Sequence, residues 1–130
     1  MDGTTDAFLE AARLTPVATT LLDARPAFVF APDGSRLLFA NAAACAFLDA
    51  SNIEAALTLR FSTLNPIRVL ASRLTRLAPA DEPRLEMLRF GTPFGMTTLP
   101  SACLRLNYGS GAEKRALLAV GMVTAPTETL

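Results

Sequence analysis

Two apolar runs, AFVFA at residues 27–31 and RLLFA at residues 36–40, are separated by Pro-Asp-Gly-Ser and followed at once by Asn41 and the stretch AAACAFLDA. No other segment restricts the fold so much. Asp33-Gly34 supplies the positive φ that a tight reversal needs, so the two runs predict a β-hairpin. Asn41 can accept hydrogen bonds from the first exposed N–H groups of a helix, and the alanines after it propagate one. A strand that runs straight into a capped helix cannot also belong to a simple all-β meander.

A second helix opens at Asn65-Pro66, with asparagine as cap and proline at the first helical position, where its missing N–H costs nothing. Ile67, Leu70, Ala71, Leu74 and Leu77 follow at the spacing of one buried stripe, which leaves Arg68, Ser72, Arg73 and Arg76 on the other side. Between the two helices, residues 51–62 read as one or two short helical turns. Beyond the polar connector at residues 80–83, LEMLRF predicts a strand, the GTPFG segment at residues 91–95 a loop, and residues 97–108 and 114–123 two more strands. Ahead of the hairpin, Phe8, Leu9, Ala12, Leu14, Val17, Leu21 and Leu22 are roughly helically spaced, with Pro16 breaking or kinking the helix near Thr15. Early and late strands flank the helices without βαβ alternation, so one antiparallel sheet with helices on one face is the simplest α+β packing.

Composition narrows the function. A chain of 130 residues is one domain's worth and buries roughly two-thirds of its unfolded surface without staples. It contains no histidine, which excludes within it a Ser-His-Asp or Cys-His catalytic unit, a His-ligated haem and a phospho-accepting histidine. Twelve basic residues balance twelve acidic ones, against nonspecific nucleic-acid binding, which draws on a basic surface. Apolar stretches such as residues 42–48 are far shorter than the roughly 20 residues that span a bilayer, so no direct membrane insertion is expected. The acidic start MDGTTDAF carries no basic targeting region, and a cytoplasmic location is the default expectation.

The segment FVFAPDGSRLLFANAAACAFL resembles the opening of a PAS domain, the sensory module of many bacterial histidine kinases. The similarity extends through the helix after Asn65 and the three C-terminal strands, covering residues 24–125; residues 1–23 are then an N-terminal helical flank and residues 126–130 a linker towards an output domain. The resemblance implies a five-stranded antiparallel sheet with helices on one face. It also implies reception of a small ligand or a partner and relay of a conformational bias to that output domain. Flanking helices of such domains commonly pair two protomers, which nominates Phe8, Leu9, Ala12 and Leu21 for a homodimer contact. Two departures stand out. An extra residue between Gly34 and the second strand suggests a bulge, and the family's acidic-Ile-Thr closing motif does not follow Val123.

Under one choice of strand parity, Phe28, Phe30, Leu38, Met87 and Leu104, with Ile67 and Leu70, face the interior and could line a cavity for a small apolar ligand. Ordinary core explains the same seven residues, because pockets and cores draw on the same side-chain types. Asp33, Gly34, Asn41, Asn65 and Pro66 are structural. Cys45 and Cys103 are better read as small buried hydrophobes than as reactive thiols. Flavin-bonding members of the family carry an Asn-Cys-Arg-Phe-type motif beyond this helix, whereas Cys45 lies within Ala-Ala-Cys-Ala-Phe, which argues against a cysteinyl-flavin adduct. No metal, no cofactor and no convergent acid–base pair is expected. The resulting expectation is a non-enzymatic sensory and dimerisation module, with a signalling protein as a further partner. Its alternative is a ligand-free protein–protein interaction module with a filled core.

Overall fold

The computed structural model describes residues 15–21, 23–77, 83–92, 95–107 and 115–122. Its elements, in order, are α1 (Thr15–Ala18), β1 (Ala27–Phe30), β2 (Leu37–Ala40), α2 (Ala42–Phe47), α3 (Ile53–Leu57), α4 (Pro66–Leu77), β3 (Arg84–Thr92), β4 (Gly95–Asn107) and β5 (Arg115–Gly121). The strands form one antiparallel sheet in the order β2-β1-β5-β4-β3. β2 and β3 are opposite edges, so the chain between them must cross the whole sheet. It does so as α2, α3 and α4, and this crossing creates the helix-covered inner face.

The hairpin forms as its residues dictate. Gly34 takes φ 71°, its N–H donates to the Ala31 carbonyl at 2.8 Å, and the Ala31 N–H donates to the Arg36 carbonyl at 3.0 Å. Glycine is required here for a second reason: a Cβ would stand 2.7 Å from the Ile67 carbonyl oxygen and 3.0 Å from the Arg68 Cα. The turn therefore lies directly against the backbone of α4. The anticipated bulge is present within β2: Phe28 pairs with Ala40 and Val29 with Phe39, but Phe30 pairs with Leu37, so Leu38 is the extra residue.

The inner core joins Phe28, Phe30 and Leu37 to Leu88, Leu99, Cys103, Leu117 and Ala119 on the sheet, and to Ala44, Cys45, Ala56, Leu57, Ile67, Ala71 and Leu74 on the helices. Phe28 and Phe30 stack at 5.8 Å between centroids, and Phe30 meets Phe61 at 6.0 Å. The opposite face of the sheet carries a second core of Val29, Ala31, Leu38, Phe39, Leu106, Ala116 and Leu118, closed by Val17 of α1. Pro16 thus stands in the first turn of a short helix that seats Val17 on the sheet.

Three expectations about facing are corrected by the register. Leu38 lies on the outer face, because the bulge places it beside Phe39 rather than opposite it. Leu88 points inward, so Met87 points outward and is 54% exposed. Cys103 is the inward residue of β4, so Leu104 packs with the outer cluster. Strand alternation allows two parities, and the side the helices occupy selects one. The expected loop at residues 91–95 is also shorter, since Gly91 pairs with Met96 and Thr92 with Gly95 inside the ladder.

Candidate functional site

Asn41 is the most connected polar side chain of the described structure. It is 1% exposed, and its Oδ1 accepts from the Ala44 N–H at 2.9 Å, capping α2 as expected, and from the Ala27 N–H of β1 at 3.0 Å. Its Nδ2 donates to the carbonyls of Thr20 at 2.8 Å, Arg25 at 3.0 Å and Asp23 at 3.4 Å. One side chain therefore ties the chain after α1 to β1, the end of β2 and the start of α2. The capping signal was legible in the sequence, but the other partners lie 14 to 21 residues upstream. Next to this hub, Arg25 clamps Asp23 at 2.7 Å and holds its carboxyl at about 2, below the usual carboxylate range.

Phe28, Phe30 and Ile67 face the inner core and Leu70 packs at its margin, which places four of the seven nominated lining residues together. At the α4 N-terminus, Leu48, Leu59, Arg60, Phe61, Ser62, Asn65 and Gly91 border an open cleft of about 300 Å³. Asn65 caps α4 through its Oδ1, which accepts from the Ile67 N–H at 3.3 Å, and Pro66 begins the helix. The Arg60 guanidinium is spent on the carbonyls of Leu57 and Leu59. A wider, shallow groove of about 690 Å³ runs between α2 and α3, with Cys45, Ala46 and Ile53 among its walls.

Both cysteines are buried and free. Burial pushes the Cys45 thiol up, and burial together with the Glu86 carboxylate pushes Cys103 up to about 12. Neither is poised as a thiolate nucleophile, which requires a lowered pKa. Among the described residues no group of three His, Cys, Asp or Glu side chains could hold a metal ion. The arginine face of α4 is also more engaged than a solvated stripe. Arg68 donates to the carbonyls of Asp33 at 2.8 Å and Phe61 at 2.9 Å, and Arg73 pairs with Glu86 at 3.3 Å.

The outer face divides in two. Beneath α1 it is closed, whereas towards β3 it is open: Leu85 (74% exposed) and Met87 stand there across from Ala102 and Pro100, with Met122 and Met96 exposed nearby. Sequence reasoning missed this patch because it assigned Met87 to the interior. Of the nominated dimer flank, Leu21 is exposed, while Phe8, Leu9 and Ala12 lie outside the described residues. No described helix is long and apolar enough to cross a membrane.

No family model matches the sequence, and no curated protein matches it. Solved structures do match. A domain of a sensory box sensor histidine kinase/response regulator from Geobacter sulfurreducens superposes with a TM-score of 0.55 at 15% identity, over 82% of this chain and 90% of that one. The PAS domain of an HTR-like protein from Haloarcula marismortui gives 0.56 at 18% identity, over 92% and 96%. A PAS domain from Desulfitobacterium hafniense gives 0.53 at 16% identity, over 79% and 95%. The chain has the PAS fold, and with it the α+β class and five-stranded antiparallel sheet anticipated from the hairpin–Asn–helix segment.

Proposed function

We propose that this chain is the sensory and dimerisation module of a signal-transduction protein, with a histidine kinase as the parent and the output domain outside this sequence. The observation that carries the reading is the open half of the outer sheet face. Leu85, Met87, Pro100 and Met122 form an exposed apolar patch continuous with the cluster that α1 closes. Monomeric proteins rarely leave such surface bare, so a second copy meeting this face is the simplest occupant. The absence of histidine assigns any phosphorylated histidine to a different part of the parent protein.

Asn41 supplies the relay. Because its amide holds Thr20, Asp23 and Arg25 on one side and α2 on the other, a displacement of α2 or of the hairpin is passed to the flank leading to the outer face. A ligand or partner biases that linkage only by its differential affinity for two arrangements of it. In the ligand-binding form of the reading, a small apolar molecule enters the cleft beside Phe61 and Asn65. The continuous cluster of buried apolar side chains beneath it favours the second reading, in which partner contact alone is the signal.

The test is sedimentation equilibrium of the purified chain across a wide concentration range, paired with native mass spectrometry to detect a retained molecule. Dimer that dissociates in Met87→Glu with unchanged circular dichroism supports the reading. A wild-type chain that stays monomeric at the highest soluble concentration refutes it.

A further inference from the structure

At the end of α4 opposite the open cleft, Pro32 and Asp33 of the β1–β2 turn, Ser72, Thr75 and Arg76 of the helix, and Arg115 of β5 enclose a notch of about 200 Å³. We infer that this notch binds a small oxyanion, a phosphate monoester or a short carboxylate, held by Arg76 and Arg115.

The two arginines of the notch carry charge that no described carboxylate neutralises. Among the described residues the ion pairs are Arg25–Asp23 and Arg73–Glu86, so neither arginine of the notch faces a carboxylate at ion-pair distance. Arg76 commits only its Nε, to the Ser72 carbonyl at 3.2 Å. Asp33, the one acid among the described lining residues, has its Oδ1 taken by the Ser35 N–H at 3.0 Å and hydroxyl at 2.6 Å.

The strand behind the notch carries a further arginine. Arg105 pairs across the ladder with Leu117, an inward residue, so it projects from the same face as Arg115, two positions along β5. Its Nε is buried without any hydrogen-bond partner, a state that costs free energy unless something supplies an acceptor. Two guanidiniums, those of Arg76 and Arg115, therefore line the concavity, with Arg105 on the same sheet face behind them, and the carboxylate of Asp33 is turned to its own loop. Guanidinium forks match carboxylate and phosphate oxygens in pairs.

Size sets the ligand class. Pockets for drug-sized molecules run about 300–1,000 Å³, so this notch suits a small anion rather than a cofactor. An occupant would bridge the β1–β2 turn, the C-terminal half of α4 and the start of β5, of which the first two are already joined there by the Thr75 hydroxyl donating to the Pro32 carbonyl at 3.2 Å. The site is separate from the outer-face patch and does not depend on association through it.

The experiment is a nuclear magnetic resonance titration of the full chain with inorganic phosphate and, separately, with succinate, at ionic strength held constant with chloride. Saturable shifts of the Asp33, Ser72, Thr75 and Arg115 amides are expected. Arg115→Gln combined with Arg76→Gln should weaken them about tenfold or more, a loss of about 1.4 kcal/mol per decade. Arg73→Gln and Met87→Glu, which lie outside the notch, should leave them unchanged. Tighter binding of phosphate assigns the phosphate class, and tighter binding of succinate the carboxylate class. Shifts that stay linear to tens of millimolar for both anions, or that Arg73→Gln weakens equally, overturn the inference.

Discussion

Truncating Asn41 to alanine removes the only side chain among the described residues that joins α1's trailing segment, β1 and α2. Loss of the N-cap alone costs about 0.5–2 kcal/mol. The Ala27 N–H is left without its acceptor in a buried position, which adds about 1–3 kcal/mol. The carbonyls of Thr20 and Arg25 lose their donor too, and the buried Thr20 can least recover it from water. A total of roughly 3–5 kcal/mol follows, a large share of the about 5–15 kcal/mol that holds an ordinary domain together. Thermal denaturation followed by circular dichroism should show a melting temperature lower by roughly 10–20 °C. Asn41→Asp sharpens the test, because it keeps the acceptor for Ala27 and Ala44 but turns a carboxylate towards three carbonyl oxygens. That contact raises the folded-state pKa of the new acid above its unfolded value, so the folded state binds more protons and the variant loses stability as pH rises through that interval. Its deficit against wild type should therefore shrink towards pH ~4, near the ordinary carboxylate pKa. A loss below about 1 kcal/mol for Asn41→Ala, or a deficit for Asn41→Asp that grows on acidification, would refute the hub.

Two further outcomes follow from packing. Gly34→Ala combines a left-handed backbone with a Cβ 2.7 Å from the Ile67 carbonyl oxygen, and should cost roughly 2–5 kcal/mol in urea denaturation; an unchanged midpoint would mean that the turn does not rest on α4. Cys103, its thiol pushed up to about 12 by burial, should resist iodoacetamide at pH ~8 unless the chain unfolds, because the thiolate is the reactive form. Cys45, at the wall of the α2–α3 groove, should react first of the two, as mass spectrometry of the labelled protein would show.

The local signals were legible because they are local. Asp33-Gly34, Asn41 and Asn65-Pro66 each satisfy a turn or a helix end with atoms a few residues away, and the structure has the hairpin, α2 and α4 where these residues put them. The stripe of Ile67, Ala71 and Leu74 was legible for the same reason, since helical periodicity has one buried side. Strand facing was not. LEMLRF offers Leu85 and Met87 on one side and Leu88 on the other, and both faces of this sheet carry apolar clusters, so alternation could not identify the inner one.

By itself, the sequence determined the elements, their order and the points where the chain must turn, since these follow from φ preferences, missing donors and periodicity within a few residues. It also determined what chemistry is missing, because a chain without histidine cannot perform histidine chemistry. Tertiary structure alone decided which strand face the helices cover, and therefore that Leu88 and Cys103 are core while Leu85 and Met87 remain on the surface. It also brought Thr20, Asp23 and Arg25 to the amide of Asn41, and Arg76 and Arg115 to one notch. Those groups lie tens of residues apart or on different elements, and only the closing of the β2-β1-β5-β4-β3 sheet under its crossing helices makes them neighbours.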